Sequence, residues 1–200
     1  MTEDDVIRLI AIHNGDPDAH DVIPPPVHIT LAYDAFERAD GALGSPWTSV
    51  SGLTLAVIDD AAMVSPNGTA AGAFQPSART GTTIITASML VGNADCWLYG
   101  WFASGVGCVA VQRGSDRFRI WTINGVTLSM VAEHPIFFKG LPERVSLRLD
   151  SDNLRATLIA DSEQLLDVAL PDQAYGNSVG ARIGGTASII DFAAVREIQP

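Results

Sequence analysis

The helical spacing of apolar positions disappears after residue 30, and short segments rich in β-branched and aromatic residues follow one another to the end of the chain. Eleven of these segments, separated by Gly, Pro, Asn and Asp, are predicted to be strands. They are residues 53–58, 82–91, 97–102, 109–112, 117–123, 126–131, 144–149, 154–160, 164–169, 179–183 and 188–197. No long segment here has a helical period, so a parallel sheet with crossover helices is excluded. The pattern predicts about 11 or 12 antiparallel strands in a two-sheet sandwich or a closed barrel.

Two polar segments predict turns between these strands. Asn124-Gly125 predicts a tight type I′ hairpin, because both central residues of that turn need a positive φ and Asn-Gly supplies it. Residues 150–153, which read Asp-Ser-Asp-Asn, predict a second turn.

The first 30 residues have a different pattern and predict an N-terminal arm. Four side chains at helical spacing, three of them apolar, predict a short helix over residues 3–13. They are Val6, Leu9, Ile10 and His13. Pro24-Pro25-Pro26 then predicts an extended spacer. The sequence therefore predicts an anchoring arm over residues 1–30 and one β-domain over residues 31–200. So short a helix is marginal alone, and its apolar stripe predicts an oligomer in which the arm supplies contacts.

Composition and charge exclude several classes of protein. The chain carries 23 acidic and 12 basic residues, a formal net charge of −11, and 47% of its residues are hydrophobic. So much apolar content excludes a disordered chain, and an acidic surface without a basic patch excludes sequence-blind nucleic-acid binding. The longest uncharged apolar run, residues 96–112, is interrupted by glycines and too short to cross a bilayer. It predicts two buried strands, in which Cys96 and Cys108 either are free or face each other across a hairpin.

Both ends of the predicted β-domain resemble one known family. Residues 34–47 read DAFERADGALGSPW and resemble the opening D-x-F-x-R-x-D-G-x-L-G-x-x-W of the concanavalin A-like (laminin G-like) domains common in phage tail and secreted bacterial proteins. Residues 179–195 resemble the closing strands of the same family. The resemblance implies an all-β, concanavalin A-like two-sheet antiparallel jelly-roll sandwich, in which residues 34–36 pair as a strand with residues 189–195. The large apolar residues of the opening segment are then determinants of the fold.

The arm carries a second resemblance. Residues 12–20 read IHNGDPDAH and are similar to the H-N-x-D-P-x-A-H segment of bacteriophage tail fibre and minor tail proteins. Together with the jelly roll, this implies a homotrimeric tail protein of the virion, assembled in the host cytoplasm. Its arm would attach to other phage tail proteins, and its body would face outward. The arm residues predicted to make these contacts are Val6, Leu9, Ile10 and His13.

Our leading hypothesis is a non-enzymatic bacteriophage tail component that serves adsorption or tail-tip architecture. The main alternative is a carbohydrate-binding lectin module that recognises a host cell-surface glycan. A glycan-cleaving enzyme is the remote alternative, because the E-x-D-x-x-E pattern of paired acids that glycosidases of this fold use is absent. We expect neither a nucleic-acid partner nor membrane insertion.

The concentrated aromatic residues are the candidate glycan platform. Trp97, Tyr99 and Trp101 alternate along one predicted strand, so we expect all three rings on the same face. Trp121 is the fourth candidate. An outward face would let these rings stack on a saccharide, and an inward face would place them in the core. The apolar residues between them favour the core.

Two clusters carry the side chains that metals prefer. His13 and His20 flank two aspartates, a combination that suits zinc or iron. Residues 150–153 offer the oxygen ligands that calcium takes. Ordinary turn and helix-end hydrogen bonding explains both clusters without a metal, so we expect no cofactor.

Overall fold

Backbone hydrogen bonds join the strands of this chain into two antiparallel sheets. The structure is a computed structural model that describes residues 26–45, 47–49, 55–58, 62–64, 71–76, 81–90, 95–136, 143–184 and 187–198. The strands in these residues are β1 (Val27–Asp34), β2 (Gly41–Ala42), β3 (Thr48–Ser49), β4 (Ala56–Ile58), β5 (Ala62–Val64), β6 (Ala71–Pro76), β7 (Thr82–Leu90), β8 (Cys96–Ala103), β9 (Gly107–Arg113), β10 (Arg117–Asn124), β11 (Thr127–Pro135), β12 (Glu143–Asp150), β13 (Arg155–Ala160), β14 (Glu163–Ala169), β15 (Ser178–Ile183) and β16 (Ser188–Ile198).

The two sheets are built from strands that are distant in the chain. The nine-stranded sheet has the order β14-β13-β12-β7-β16-β5-β4-β2, and β1 also pairs with β16. The seven-stranded sheet has the order β11-β10-β9-β8-β15-β6-β3. This arrangement is the predicted jelly-roll sandwich. The described part of the chain contains no helix with the length and apolarity that a membrane span requires.

Each of the eleven predicted segments overlaps a strand, which confirms these eleven, but the described residues contain 16 strands where 11 or 12 were predicted. The strands without a predicted counterpart are β2, β3, β5 and β6, and β1 overlaps the strand predicted over residues 34–36 only at Asp34. Three of these have only two or three residues, too few to show an alternating pattern. Their existence depends on the neighbouring strands that supply their hydrogen bonds.

The two ends of the β-domain meet in the nine-stranded sheet. β1 pairs antiparallel with β16, and Asp34 lies opposite Phe192. The predicted proximity of these ends is confirmed, but the predicted bounds of the first strand are wrong. Phe36 has a φ of +55°, so the backbone leaves the extended conformation just after Asp34. β1 begins at Val27, inside the range predicted as the arm.

The rest of the predicted arm lies outside the described residues. This applies to the helix over residues 3–13, to the proline segment before residue 26, and to the contacts proposed for the arm. Those contacts were assigned to Val6, Leu9, Ile10 and His13. The division into arm and domain stays a prediction.

The hairpin between β10 and β11 differs in register from its prediction. Asn124 pairs with Thr127, so Gly125 and Val126 form the two-residue connection. Gly125 has a φ of +59°, whereas neither Asn124 nor Val126 has a positive φ. A positive φ at the first central residue alone is the pattern of a type II′ turn, so the predicted type I′ turn is wrong. The ladder continues through Asn124 and moves the turn one residue onward.

The core lies between the sheets and is filled by alternate residues of the long strands. Its largest fully buried side chains are Trp101, Phe36, Phe118, Phe192, Leu55, Ile85, Met89, Leu98, Ile120, Leu147 and Leu149. Cys96 belongs to this core, whereas Cys108 packs in a separate cluster on the other face of the seven-stranded sheet. Both thiols are free. The alternative in which they face each other across the hairpin is therefore wrong.

The carboxylate of Asp34 accepts the hydrogen bonds that hold the corner after β1 together. Asp34 accepts hydrogen bonds from the backbone N–H of Phe36 at 2.8 Å, from both terminal nitrogens of Arg38 at 2.8 Å, and from Trp47 Nε1 at 2.7 Å. The Trp47 ring packs edge-on against Phe192 in β16, with 5.0 Å between centroids. Asp34 and Trp47 of the opening segment therefore stabilise the fold through these contacts. This supports the prediction that the opening segment determines the fold.

Candidate ligand-binding face

The outer face of the seven-stranded sheet carries an aromatic cluster that is separate from the core. Its buried members are Trp97 and Tyr99 of β8 with Cys108 and Ala110 of β9. Phe102, Trp121 and Ile123 pack against them and are partly exposed. We call these seven residues the outer aromatic cluster. An apolar cluster on the outer face of a sandwich does not contribute to the core between the sheets. Such a cluster is typical of a surface that binds a ligand or a partner.

A bulge in β8 separates Trp101 from the other candidate rings. The pairing of β8 with β9 shifts between Gly100 and Ala103, and Trp101 there has a φ of +52°. Its side chain is consequently fully buried in the core. The expectation that Trp97, Tyr99 and Trp101 share one face is therefore wrong for Trp101. Phe102 lies on the outer face instead, because the bulge reverses the alternation.

The loop before β15 holds this bulge in place. The backbone N–H of Gly176 donates to the carbonyl oxygen of Trp101 at 2.7 Å. A Cβ at Gly176 would lie 2.2 Å from the backbone carbonyl of Phe102, so only glycine permits this approach. The Trp101 ring also packs on Tyr175, with 5.6 Å between centroids. The orientation of Trp101 thus depends on a segment far along the chain.

The rings of the outer aromatic cluster stack side by side across three strands. Trp97 and Tyr99 are nearly parallel, with an interplanar angle of 10° and centroids 6.0 Å apart. The Trp97 and Trp121 centroids are 6.1 Å apart. Trp97 and Tyr99 are only 5% and 6% exposed, whereas Trp121 is partly exposed. Trp121 is therefore the accessible tryptophan, and the other two rings support it.

The apolar surface continues from Trp121 to the edge strand. Met130 lies opposite Trp121, and Leu128 lies opposite Ile123, in the pairing of β10 with β11. Met130 is 50% exposed and Leu128 is 51% exposed. Neither residue was among the predicted site residues. A turn at Asn124-Gly125 would have placed Met130 opposite Arg119, whereas the observed register places it opposite Trp121.

Polar side chains fix the indole rings in position. Asp95 Oδ2 accepts hydrogen bonds from Trp97 Nε1 at 2.6 Å and from Gln112 Nε2 at 2.7 Å. Gln112 Oε1 in turn accepts one from Trp121 Nε1 at 3.0 Å. Each indole N–H therefore has a partner, and the chain of bonds links β8, β9 and β10. Such a network holds the rings in one arrangement before any ligand arrives.

The ionisable groups within the cluster stay protonated near neutral pH. Burial raises the pKa of Tyr99 to about 12, although Arg182 opposes this shift through its charge and a hydrogen bond to the phenol. Burial also raises the pKa of Cys108 to about 12. A thiol with such a pKa is a poor nucleophile at neutral pH. The cluster is therefore suited to binding, with no activated nucleophile among these two groups.

The candidate metal sites have different outcomes. His13 and His20 lie outside the described residues. In the 150–153 turn, Asp150 accepts hydrogen bonds from the backbone N–H groups of Asp152 and Asn153 and from the Asn153 side chain. Turn formation alone accounts for this cluster. In the described ranges, no group of three or more His, Cys, Asp or Glu side chains is placed to hold a metal ion.

Known structures share the fold. A protein of unknown function with a galectin-like fold from Bacillus subtilis matches with a TM-score of 0.62 and 11% identity, over 90% of this chain and 100% of that chain. The Emp46p carbohydrate recognition domain, in its potassium-bound form, matches with a TM-score of 0.56 and 10% identity, over 75% and 88% of the two chains. The catalytic domain of an endo-1,3-beta-glucanase (laminarinase) from Thermotoga petrophila RKU-1 matches with a TM-score of 0.54 and 10% identity, over 86% and 99%.

At such low identities these likenesses show the fold alone. The chain has a galectin-like, concanavalin A-like jelly-roll fold, as the resemblance implied. No protein-family model and no curated protein matches the sequence.

Proposed function

We propose that this protein is a carbohydrate-binding module and that a saccharide stacks on Trp121 at the outer face of the seven-stranded sheet. The observation that carries this proposal is the outer aromatic cluster, whose indole N–H groups are held by Asp95 and Gln112. The C–H faces of sugar rings pack on aromatic rings, and adjacent polar groups can orient the hydroxyls. Leu128 and Met130 extend the apolar surface.

The comparisons support this proposal over a purely structural role. The Emp46p structure is by its title a carbohydrate recognition domain, and the Bacillus subtilis structure is described as galectin-like. The same architecture thus serves saccharide recognition elsewhere. For this chain, the outer aromatic cluster is the surface best suited to such a role.

Cleavage of the saccharide is disfavoured by the acids on this face. A glycosidase needs one carboxyl group with a raised pKa as general acid. The hydrogen bond from Arg117 instead lowers the pKa of Glu133, which also pairs with Arg119. Asp95 Oδ2 accepts hydrogen bonds from Trp97 and Gln112. The laminarinase shares the fold, but in this chain Glu133 does not fit the role of a general acid.

The role as a phage tail component stays a prediction from residues 12–20 and 34–47. The first segment lies outside the described residues, and the second has a folding role at Asp34. A saccharide-binding jelly roll is compatible with host adsorption by a tail protein. Light scattering of the full-length protein tests the predicted homotrimer. A mass near the 21.1 kDa of one chain would contradict it.

A glycan array probed with the whole protein tests the binding function. We expect binding to at least one glycan class, and a loss of about tenfold or more in affinity for Trp121→Ala. Tyr33→Ala is the matched control, because Tyr33 is 68% exposed on β1 of the other sheet. Undiminished binding by Trp121→Ala, or the same loss in both variants, would refute the assignment of the site.

A further inference from the structure

Arg182 is a cation at the margin of the outer aromatic cluster. It lies on β15, opposite Trp97 of β8, and its side chain is partly buried. Its guanidinium carbon is 5.6 Å from the centroid of the Trp97 ring. Its side chain also hydrogen-bonds to Tyr99. Two rings therefore hold the guanidinium at the surface of the sheet.

The charged partners of Arg182 differ from those of other arginines in this acidic chain. Seven described arginines form ion pairs with Asp or Glu. None of the ion pairs within the described residues involves Arg182. A partly buried guanidinium that is ion-paired with no described carboxylate is suited to receive one from a ligand, since its planar donors match a carboxylate.

We propose that Arg182 binds the carboxylate of an acidic oligosaccharide, such as one containing a uronic or sialic acid, while another sugar ring of the same ligand stacks on Trp121. This inference rests on the proposed carbohydrate-binding function and specifies its ligand class. It makes Arg182 the residue that determines specificity for acidic over neutral glycans.

The two proposed contacts lie close enough to be made by one short ligand. The centroid of the Trp97 ring is 6.1 Å from the centroid of Trp121 and 5.6 Å from the guanidinium carbon of Arg182. The Trp121 ring and this guanidinium carbon are therefore at most about 12 Å apart. A short oligosaccharide can reach both groups at once.

The neighbouring acid, Asp95, has other hydrogen-bond partners. Asp95 Oδ2 accepts hydrogen bonds from Trp97 Nε1 and Gln112 Nε2, and Asp95 is not ion-paired with Arg182. The carboxylate of the ligand is expected to approach Arg182 from the Tyr99 side. There the phenol stays protonated at neutral pH and does not repel it.

The test compares oligosaccharides that differ only in charge. An array carries uronic-acid and sialylated oligosaccharides, their methyl esters, and their neutral counterparts. We expect the unmodified protein to bind the acids about 10- to 100-fold more tightly than the esters, because a charge-assisted hydrogen bond is lost in the ester. We also expect this preference to weaken at high salt.

Variants then assign the preference to one residue. Arg182→Gln is expected to lose the preference for acids and Arg182→Lys to keep part of it. Arg155→Gln, on β13 of the other sheet, is the control and is expected to change nothing. Because the ester comparison uses the unmodified protein, it stays decisive even if Arg182→Gln folds poorly.

The possible outcomes separate the two proposals. Equal binding of acids and esters, or an unchanged preference in a folded Arg182→Gln protein, overturns the role of Arg182 and leaves the carbohydrate-binding function intact. Absence of binding to every glycan overturns the proposed function and this inference with it.

Discussion

Replacing Asp34 with alanine is expected to destabilise the fold strongly, because this carboxylate ties the corner after β1 to the core. Asp34 is 8% exposed, and its removal leaves Trp47 Nε1 and the backbone N–H of Phe36 without their acceptor. Each buried unsatisfied donor costs about 1–3 kcal/mol. Arg38 is 39% exposed and can turn to water, so its ion pair adds little. We therefore expect a loss of about 2–6 kcal/mol in the free energy of unfolding.

Chemical denaturation of the full-length protein measures this loss. Asp167→Ala is the matched control, because Asp167 also pairs with an arginine at 2.8 Å but lies at the surface with 37% exposure. Its removal is expected to cost less than about 1 kcal/mol. A cost for Asp34→Ala that is no larger than that of the control would refute the role of the carboxylate.

The same residue predicts a pH dependence. Burial alone would raise the pKa of Asp34, but hydrogen bonds from Arg38, the Phe36 backbone and Trp47 lower it below 3.8. A carboxyl group whose pKa falls on folding stabilises the protein above its unfolded pKa, and this contribution disappears as pH falls through the folded pKa. The stability difference between the native protein and Asp34→Asn should therefore be constant near neutral pH and shrink below about pH 4. A difference that stays constant down to the acid transition would contradict this reasoning.

Two further predictions concern the seven-stranded sheet. Trp101→Ala is expected to lower the free energy of unfolding by about 3–5 kcal/mol, since its ring is fully buried, and thermal unfolding checks this; a midpoint close to that of the native protein would contradict the core position. Cys96 and Cys108, whose pKa burial raises to about 12, are expected to react with a thiol reagent at pH 8 only after unfolding. Rapid labelling of the native protein would show that these thiols are accessible.

The strands and the fold class were predictable from the sequence because they depend on local pattern. Alternation along segments such as 82–91 and 144–149 reports which residues face the core, and β7 and β12 follow those segments closely. The opening segment contains Asp34, Phe36 and Trp47, whose types fit a buried hydrogen-bonded corner. Local pattern does not report pairing order, so the short strand β5, which pairs with β16, emerged only from the structure.

The candidate site depended on tertiary structure. Alternation placed Trp101 beside Trp97, but the bulge held by Gly176 turns Trp101 into the core. The same sheet brings the Trp121 ring to 6.1 Å and the Arg182 guanidinium carbon to 5.6 Å from the centroid of the Trp97 ring. A period of two residues describes an undisturbed strand, whereas a bulge and a contact across strands are set by distant segments. The sequence alone therefore determined which aromatic residues were candidates, and only the tertiary structure decided which of them form one surface.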